Sequence, residues 1–451
     1  MILKIKKILL WFWLIPAIIF AGWSIQPSGT NSNLEDVDFV DVNHGWVVGG
    51  ARDLNPNDAV ILKTEDGGNT WNNVTPTYLN LGIDLFKRVS SPDSLICYAT
   101  AQDTVGSGSH FYILKTTDGG NTWTVLPAPT YTLPTSIYFI NSDMGWTAGE
   151  LDYSPMVLHT SDGGNSWTVQ GWYNYNGGPT RIFFCNSQQG FVAGGTEDSP
   201  TTRGYIMTTT DGGNSWFESY IWEAIIPYTW PLMTGVHFID NLNGWACGNL
   251  YGATGPHYEE RIVSTTDGGL NWDEVQIITD TTVGRLYDIH MVNSQTGWIV
   301  CGGDILHTTN GWVSWHFDTS NVTTTLKAVD FVDINNGWAA GYGGIILKYT
   351  GNESVAENLD AHFIKGQEIE LTVMPATNNS LPCIISSPNS GTINFSLYNI
   401  LAQKISSAGM EVHSGTQKYI LQLPQDLPPG VYFLCAKTNN QSVTKKFVMI
   451  R

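Results

Sequence analysis

"TTDGGNTW", residues 116–123, sets a hydroxyl residue, an aspartate, two glycines and a tryptophan in one short run, and the chain keeps returning to it. Related octets are TEDGGNTW (64–71), TSDGGNSW (160–167), TTDGGNSW (209–216) and TTDGGLNW (265–272), followed by a degenerate TTNGWVSW (308–315). A β-prone run such as ILKT or VLHT precedes each octet. A second motif lies upstream: NHGWVVGG (43–50), DMGWTAG (143–149), QQGFVAGG (188–195), LNGWACG (242–248), QTGWIVCGG (295–303) and NNGWAAG (335–341). In the second unit SPDSLICYAT (91–100) fills that place. The octets recur every 43–56 residues, a spacing proper to propeller blades.

Each unit divides into four strands, A to D, separated by Asn/Asp/Gly turns. In the first, A is LEDVDFVD (34–41), B is GWVVGG, C is AVILKT, and D begins at Trp71. Counting the second motif predicts an all-β fold, a seven-bladed β-propeller over residues 23–351. The seventh unit has no D strand after IILKYT (345–350). GWSIQPSGTNSNLEDVDFVD (22–41) runs parallel to TWTVLPAPTYTLPTSIYFIN (122–141), so Trp23–Ile25 are predicted to supply the missing strand. Closing the ring this way leaves no long free edge.

The octet invites a chemical reading, because a repeated carboxylate is a candidate ligand or catalyst. A local reading explains more. The glycine pair permits the backbone angles of a tight turn, and an Asx side chain caps the N–H groups of its own turn. Asp66, Asp118, Asp162, Asp211 and Asp267 are therefore expected to tie turns at the outer rim. Trp71, Trp123, Trp167, Trp216 and Trp272 are expected to pack in the seams beneath.

Charge sharpens the picture. Residues 22–352 hold 33 acidic and 11 basic side chains, a net of −22, whereas 353–451 hold 7 of each. Such an acidic surface repels phosphate backbones, which excludes a nucleic-acid partner. The six cysteines have no C-x-x-C spacing, and no H-E-x-x-H, G-x-S-x-G or P-loop occurs. No cofactor and no metal is expected. Cys383 and Cys435 share the last domain, and whether they pair is open.

The amino-terminal stretch has the form of an export signal over 1–22: Lys4, Lys6 and Lys7, an apolar run from Ile8 to Phe20, then small residues at Ala21/Gly22 for cleavage. The run is too short for a spanning helix.

Strands alternate in direction, so A–B turns and C–D octets share one face, while B–C and D–A loops share the other. The A–B turns are nearly uniform, and every long connection falls on the opposite, loop face, where binding is expected. Its aromatics include Trp172, Tyr173, Trp222, Trp230 and Tyr258, which either form a platform for a sugar or protein or stiffen the loops themselves. Arg88, Arg181 and Arg285 lie at or just before A strands of blades two, four and six. They either hold a carboxylate or another anion at the channel mouth, or pair with nearby acids.

The octets match the Asp-box, S/T-x-D-x-G-x-T/S-W, of bacterial neuraminidase repeats. Together with the GW-containing B strands, residues 23–350 resemble the propellers of photosystem II assembly/stability factors. After a linker (352–364), TVMPATNN (372–379), FSLYNILAQKI (395–405), LPPGVYFLCA (427–436) and TKKFVMIR (444–451) resemble the type A C-terminal sorting domain of type IX secretion substrates. The resemblance implies a small β-sandwich over 365–451, contact with the type IX machinery, and a secreted or outer-membrane surface location in a Gram-negative Bacteroidota cell. It departs from the family at Met374 and Ala402.

Asp-boxes also occur in sialidases and xyloglucanases, so the fold does not name the activity. A sialidase needs an arginine triad and an F/Y-R-I-P stretch; TRIFF (180–184) lacks the proline. The expectation is a non-catalytic binding, adhesion or assembly-factor-like module with a glycan or protein ligand on the loop face. The alternative is a secreted glycoside hydrolase using the same face.

Overall fold

The computed structural model describes residues 22–50, 58–103, 110–127, 132–151, 154–172, 177–196, 202–223, 229–252, 259–280 and 282–351. In the tail it describes 370–373, 380–387, 391–399, 404–412, 415–424, 427, 430–437 and 442–449. The export-signal stretch before Gly22 and the linker lie outside the described residues. Two compact units divide between Asn352 and Glu353.

The first unit is a ring of seven four-stranded antiparallel sheets. In the first blade the strands are Leu34–Phe39, Gly45–Gly49, Val60–Thr64 and Asn72–Asn73, and the pattern repeats around the ring. The seventh blade takes Leu326–Asp333, Asn336–Gly341 and Ile345–Thr350 from its own segment, and Gly22–Gln26 completes it. That strand runs antiparallel to Ile345–Thr350, with Trp23 opposite Tyr349 and Ile25 opposite Leu347.

Local chemistry sets the two kinds of turn on one face. Each A–B turn is closed by an Asx oxygen that accepts the backbone N–H groups two and three residues on: Asp41 from Asn43 and His44, Asn141 from Asp143 and Met144. In the octets, Asp118 Oδ1 accepts Thr122 N (2.9 Å) and the Thr116 hydroxyl (2.9 Å), and Oδ2 accepts the Thr122 hydroxyl (2.6 Å). Gly120 adopts φ +89°, which a side chain resists. In the degenerate sixth copy Asn310 takes the aspartate's place, accepting Ser314 N at 2.9 Å. There Trp312 holds φ +70° with its indole fully buried.

Between blades the core is aromatic. An aromatic at or near the end of an A strand stacks on the B-strand aromatic of the blade before it: Phe139 on Tyr98 at 3.5 Å, Phe184 on Trp146 at 3.6 Å, Phe331 on Trp298 at 3.8 Å. Phe39 stacks on Trp338 at 3.5 Å, so the same contact spans the closure. Glycine opens five of the seven B strands, and a Cβ at Gly145 would lie 2.4 Å from the Phe139 ring. Such aromatic pairs contribute about 0.5–1.5 kcal/mol each beyond their buried area.

The second unit holds two antiparallel sheets, one of three strands and one of four. They share an apolar core that includes Leu381, Ile385, Ile393, Phe395, Leu397 and Leu434. This is a small β-sandwich. Cys383 and Cys435 are both buried within it as free thiols.

Candidate functional site

The A strands line the channel, and each carries a register shift at the same point. The bulge turns the following side chains inward together. Just past it, one level holds Asp36, Arg88, Ser136, Arg181, Gly235, Asp288 and Ala328; the next holds Asp38, Ser90, Tyr138, Phe183, His237, His290 and Asp330.

Arg181 reaches across this space. Its Nη1 lies 3.0 Å from Asp36 Oδ1 and its Nη2 2.5 Å from Asp288 Oδ2, joining blades four, one and six. Burial disfavours its charge, but Asp288 and Asp36 more than compensate, so the guanidinium is held firmly protonated. Burial raises the Asp288 carboxyl to about 6 against the pull of Arg181.

The deeper carboxylates are spent on the scaffold. Asp38 Oδ2 accepts both Ser91 N and the Ser91 hydroxyl at 2.5 Å, and Asp330 Oδ2 accepts Phe39 N at 2.6 Å. Each thereby ties its A strand to the next blade. Burial, and for Asp38 also the neighbouring Asp330 charge, raises both well above the usual carboxylate range. His290 Nδ1 sits 3.2 Å from Asp330, and burial drives His290 down to about 3. His237 stacks on it at 4.0 Å, accepts Met291 N, and is likewise kept neutral by burial.

Arg88 differs from Arg181. Its Nη1 donates to the carbonyls of Glu35 and Lys87, both at 3.2 Å, its Nε has no partner, and no carboxylate is within salt-bridge distance among the described residues. Burial lowers its pKa despite the field of Asp36. Toward the loop face, at the bulge itself, Glu35, Lys87, Tyr287 and Lys327 form the rim. Lys327 lies 3.8 Å from Glu35 and 4.2 Å over the Tyr287 ring. Five of the propeller's 11 cations, Lys87, Arg88, Arg181, Arg285 and Lys327, thus lie in the early part of an A strand or just before one.

The other expected site residues fare differently. Arg285 precedes its A strand and is exposed; its charge acts on the buried Glu260, whose carboxyl burial raises to about 7. The three arginines therefore do not converge in the channel: Arg88 and Arg181 share one level, and Arg285 stands one blade edge away. Trp222 is not an exposed platform, a correction to the expectation. It is 3% exposed, packs in the core between blades four and five, and is capped by the Arg261 guanidinium at 4.5 Å. Arg261 is itself paired with Glu259 and Glu274. Trp230 is half-buried on its A strand. Tyr173, Tyr258 and the Trp172 side chain lie outside the described residues. The rim cations Lys87 and Lys327 escaped the sequence reading; aligning the A strands on their shared bulge would have revealed them.

This arrangement presents cationic groups around a channel whose acids are already hydrogen-bonded or paired. It suits binding of an anionic group better than acid–base chemistry.

Comparison with known proteins follows the same lines. Residues 15–92 and 93–226 match the model of the photosynthesis system II assembly factor YCF48 family, and 375–450 match the secretion system C-terminal sorting domain. The photosystem II assembly lipoprotein Ycf48 of Synechococcus sp. (strain CC9902) is 32% identical over 137 residues, spanning 30% of this chain and 36% of that protein's length. Among solved structures, YCF48 bound to D1 peptide superposes with a TM-score of 0.55 at 19% identity, over 75% of this chain and all of that one. YCF48 from Cyanidioschyzon merolae gives 0.54 at 17% identity, over 73% and 99%. A GH74 xyloglucanase from Xanthomonas campestris gives 0.53 at 12%, over 81% of this chain and 59% of that one. At these identities the structures establish the propeller fold, which resembles the photosystem II assembly factor. The sorting domain marks the chain for export.

Proposed function

We propose that this chain is an exported, non-catalytic binding propeller that holds an extended, carboxylate-bearing polypeptide segment on its loop face, at the channel mouth. One observation carries the reading. On a propeller of net charge −22, the half-buried Arg88 guanidinium has no carboxylate within salt-bridge distance among the described residues, and the Arg181 guanidinium shares its level. A peptide carboxylate is the planar, bidentate partner that such a group accepts. A YCF48 structure of the same fold holds a D1 peptide, which supports a polypeptide over a glycan as ligand. The sorting domain supports a setting at the cell surface or beyond it, where the partner would be a surface or secreted protein.

The glycoside hydrolase alternative has less behind it. The buried channel carboxylates tie blades together, and Arg181 is engaged by two of them. A peptide array and a glycan panel, assayed side by side for binding and turnover, test the proposal. Saturable peptide binding without glycan cleavage supports it, and glycan turnover lost on Arg181 or Arg285 substitution contradicts it.

A further inference from the structure

The sixth blade departs from the others near its outer edge. Its strand C (Asp304–Thr308) places His307 opposite His316 of strand D (His316–Asp318), with Asp318 opposite Ile305. The second blade holds Lys115, Thr124 and Leu126 at those three places, and the seventh holds Lys348, Ser24 and Gln26. The C-strand residue ordinarily caps the B-strand aromatic, as Lys63 does over Trp46 and Lys115 over Tyr98. Capping requires one cation. It does not require a second imidazole and a carboxylate beside it.

The three side chains converge. Asp318 Oδ2 accepts the indole N–H of Trp298 at 3.0 Å and of Trp23 at 3.2 Å, which fixes the carboxylate plane. Oδ1 then faces His307 Nδ1 at 3.2 Å and His316 Nε2 at 3.3 Å, and the donor atoms of all three residues lie within 4.8 Å of one another. Charge-assisted N–H···O bonds run shorter, about 2.7–2.9 Å. A tetrahedral ion with bonds of about 2.0–2.1 Å sets its ligand atoms about 3.3 Å apart. The two imidazole-to-carboxylate distances are those of ligand edges. Indole bonds to the far carboxylate oxygen supply the outer support that orients a ligating group. His307 stacks on Trp298 at 4.5 Å, while the His316 side chain is 59% exposed, leaving an entry path and room for water.

We propose that His307, His316 and Asp318 form a zinc-class divalent cation site, with water completing the coordination. Two imidazoles and one carboxylate suit Zn²⁺, and equally exclude Ca²⁺ and Mg²⁺, which take oxygen ligands. The ion joins strands C and D of blade six. Through Asp318 Oδ2 it also secures Trp23, the anchor of the ring-closing strand. Its role is to lock the closure.

The test uses the full, untagged chain stripped with chelator and titrated with ZnCl₂ by calorimetry, with melting temperature followed in parallel. One saturable zinc site is expected, with a rise in melting temperature and no response to CaCl₂ or MgCl₂. His316→Ala, on an exposed side chain, is expected to keep the circular dichroism of the parent, weaken zinc at least about tenfold and abolish the melting shift. His316→Gln should behave likewise. The proposal is overturned if the parent binds no zinc, or if both variants retain the parent's affinity and melting shift.

Discussion

Arg181 of the fourth blade binds Asp288 of the sixth across the channel, Nη2 to Oδ2 at 2.5 Å. The two are 107 residues apart, and Arg181 simultaneously holds Asp36, 145 residues away. Removing one partner of such a buried set leaves charge uncompensated. Arg181→Met should therefore lower unfolding stability by about 3–5 kcal/mol. Denaturant titration of parent and variant measures it; an unchanged midpoint would mean that Arg181 does not brace the ring.

Acid response separates the channel acids from the channel histidines. Asp288 is raised to about 6, and Asp38 and Asp330 are raised as well, so the folded state holds their protons more tightly than the unfolded chain. These groups favour folding as pH falls from 7 toward 5. His237 and His290 are lowered, so they bind protons less readily when folded and oppose folding over the same range. Asp38→Asn deletes one favourable contribution. The variant should lose more melting temperature between pH 7 and pH 5 than the parent does.

Ring closure rests on Trp23, which is 6% exposed and packs edge-on to Phe331 at 5.7 Å. Trp23→Ala should cost about 3–5 kcal/mol, the loss typical of a large buried aromatic. It should also speed proteolysis of the seventh blade ahead of the others, followed by mass spectrometry of the first fragments.

The octet aspartates predict a smaller, local effect. Hydrogen bonds from Thr122 hold the Asp118 carboxylate below its ordinary pKa, so its contribution is present at neutral pH and is lost as pH falls below about 4. Asp118→Ala should cost about 1–2 kcal/mol and leave ligand binding unchanged, since it lies on the face opposite the loops. Thermal melts paired with binding curves check both halves.

These outcomes reflect what the chain does and does not write locally. The blade count, the ring-closing role of Trp23–Ile25 and the turn chemistry of Asp118 were legible because each repeats at a fixed spacing or satisfies its own neighbours. The pairing of Arg181 with Asp36 and Asp288 was not legible, since it depends on which residues the ring brings face to face. Trp222 misled for the same reason: its loop position suggested exposure, but Arg261, folded over from the next blade, covers it. His307, His316 and Asp318 follow no recognised ligand spacing. Only strand pairing and the indoles of Trp23 and Trp298 assemble them.

The most direct test of the binding role is to titrate the exported chain with extended peptides carrying free carboxylates, against their amidated counterparts. The parent should bind the free carboxylates saturably and the amides at least about tenfold more weakly, and Arg88→Gln should erase that difference. Equal binding of both forms, or an undiminished preference in Arg88→Gln, would contradict it.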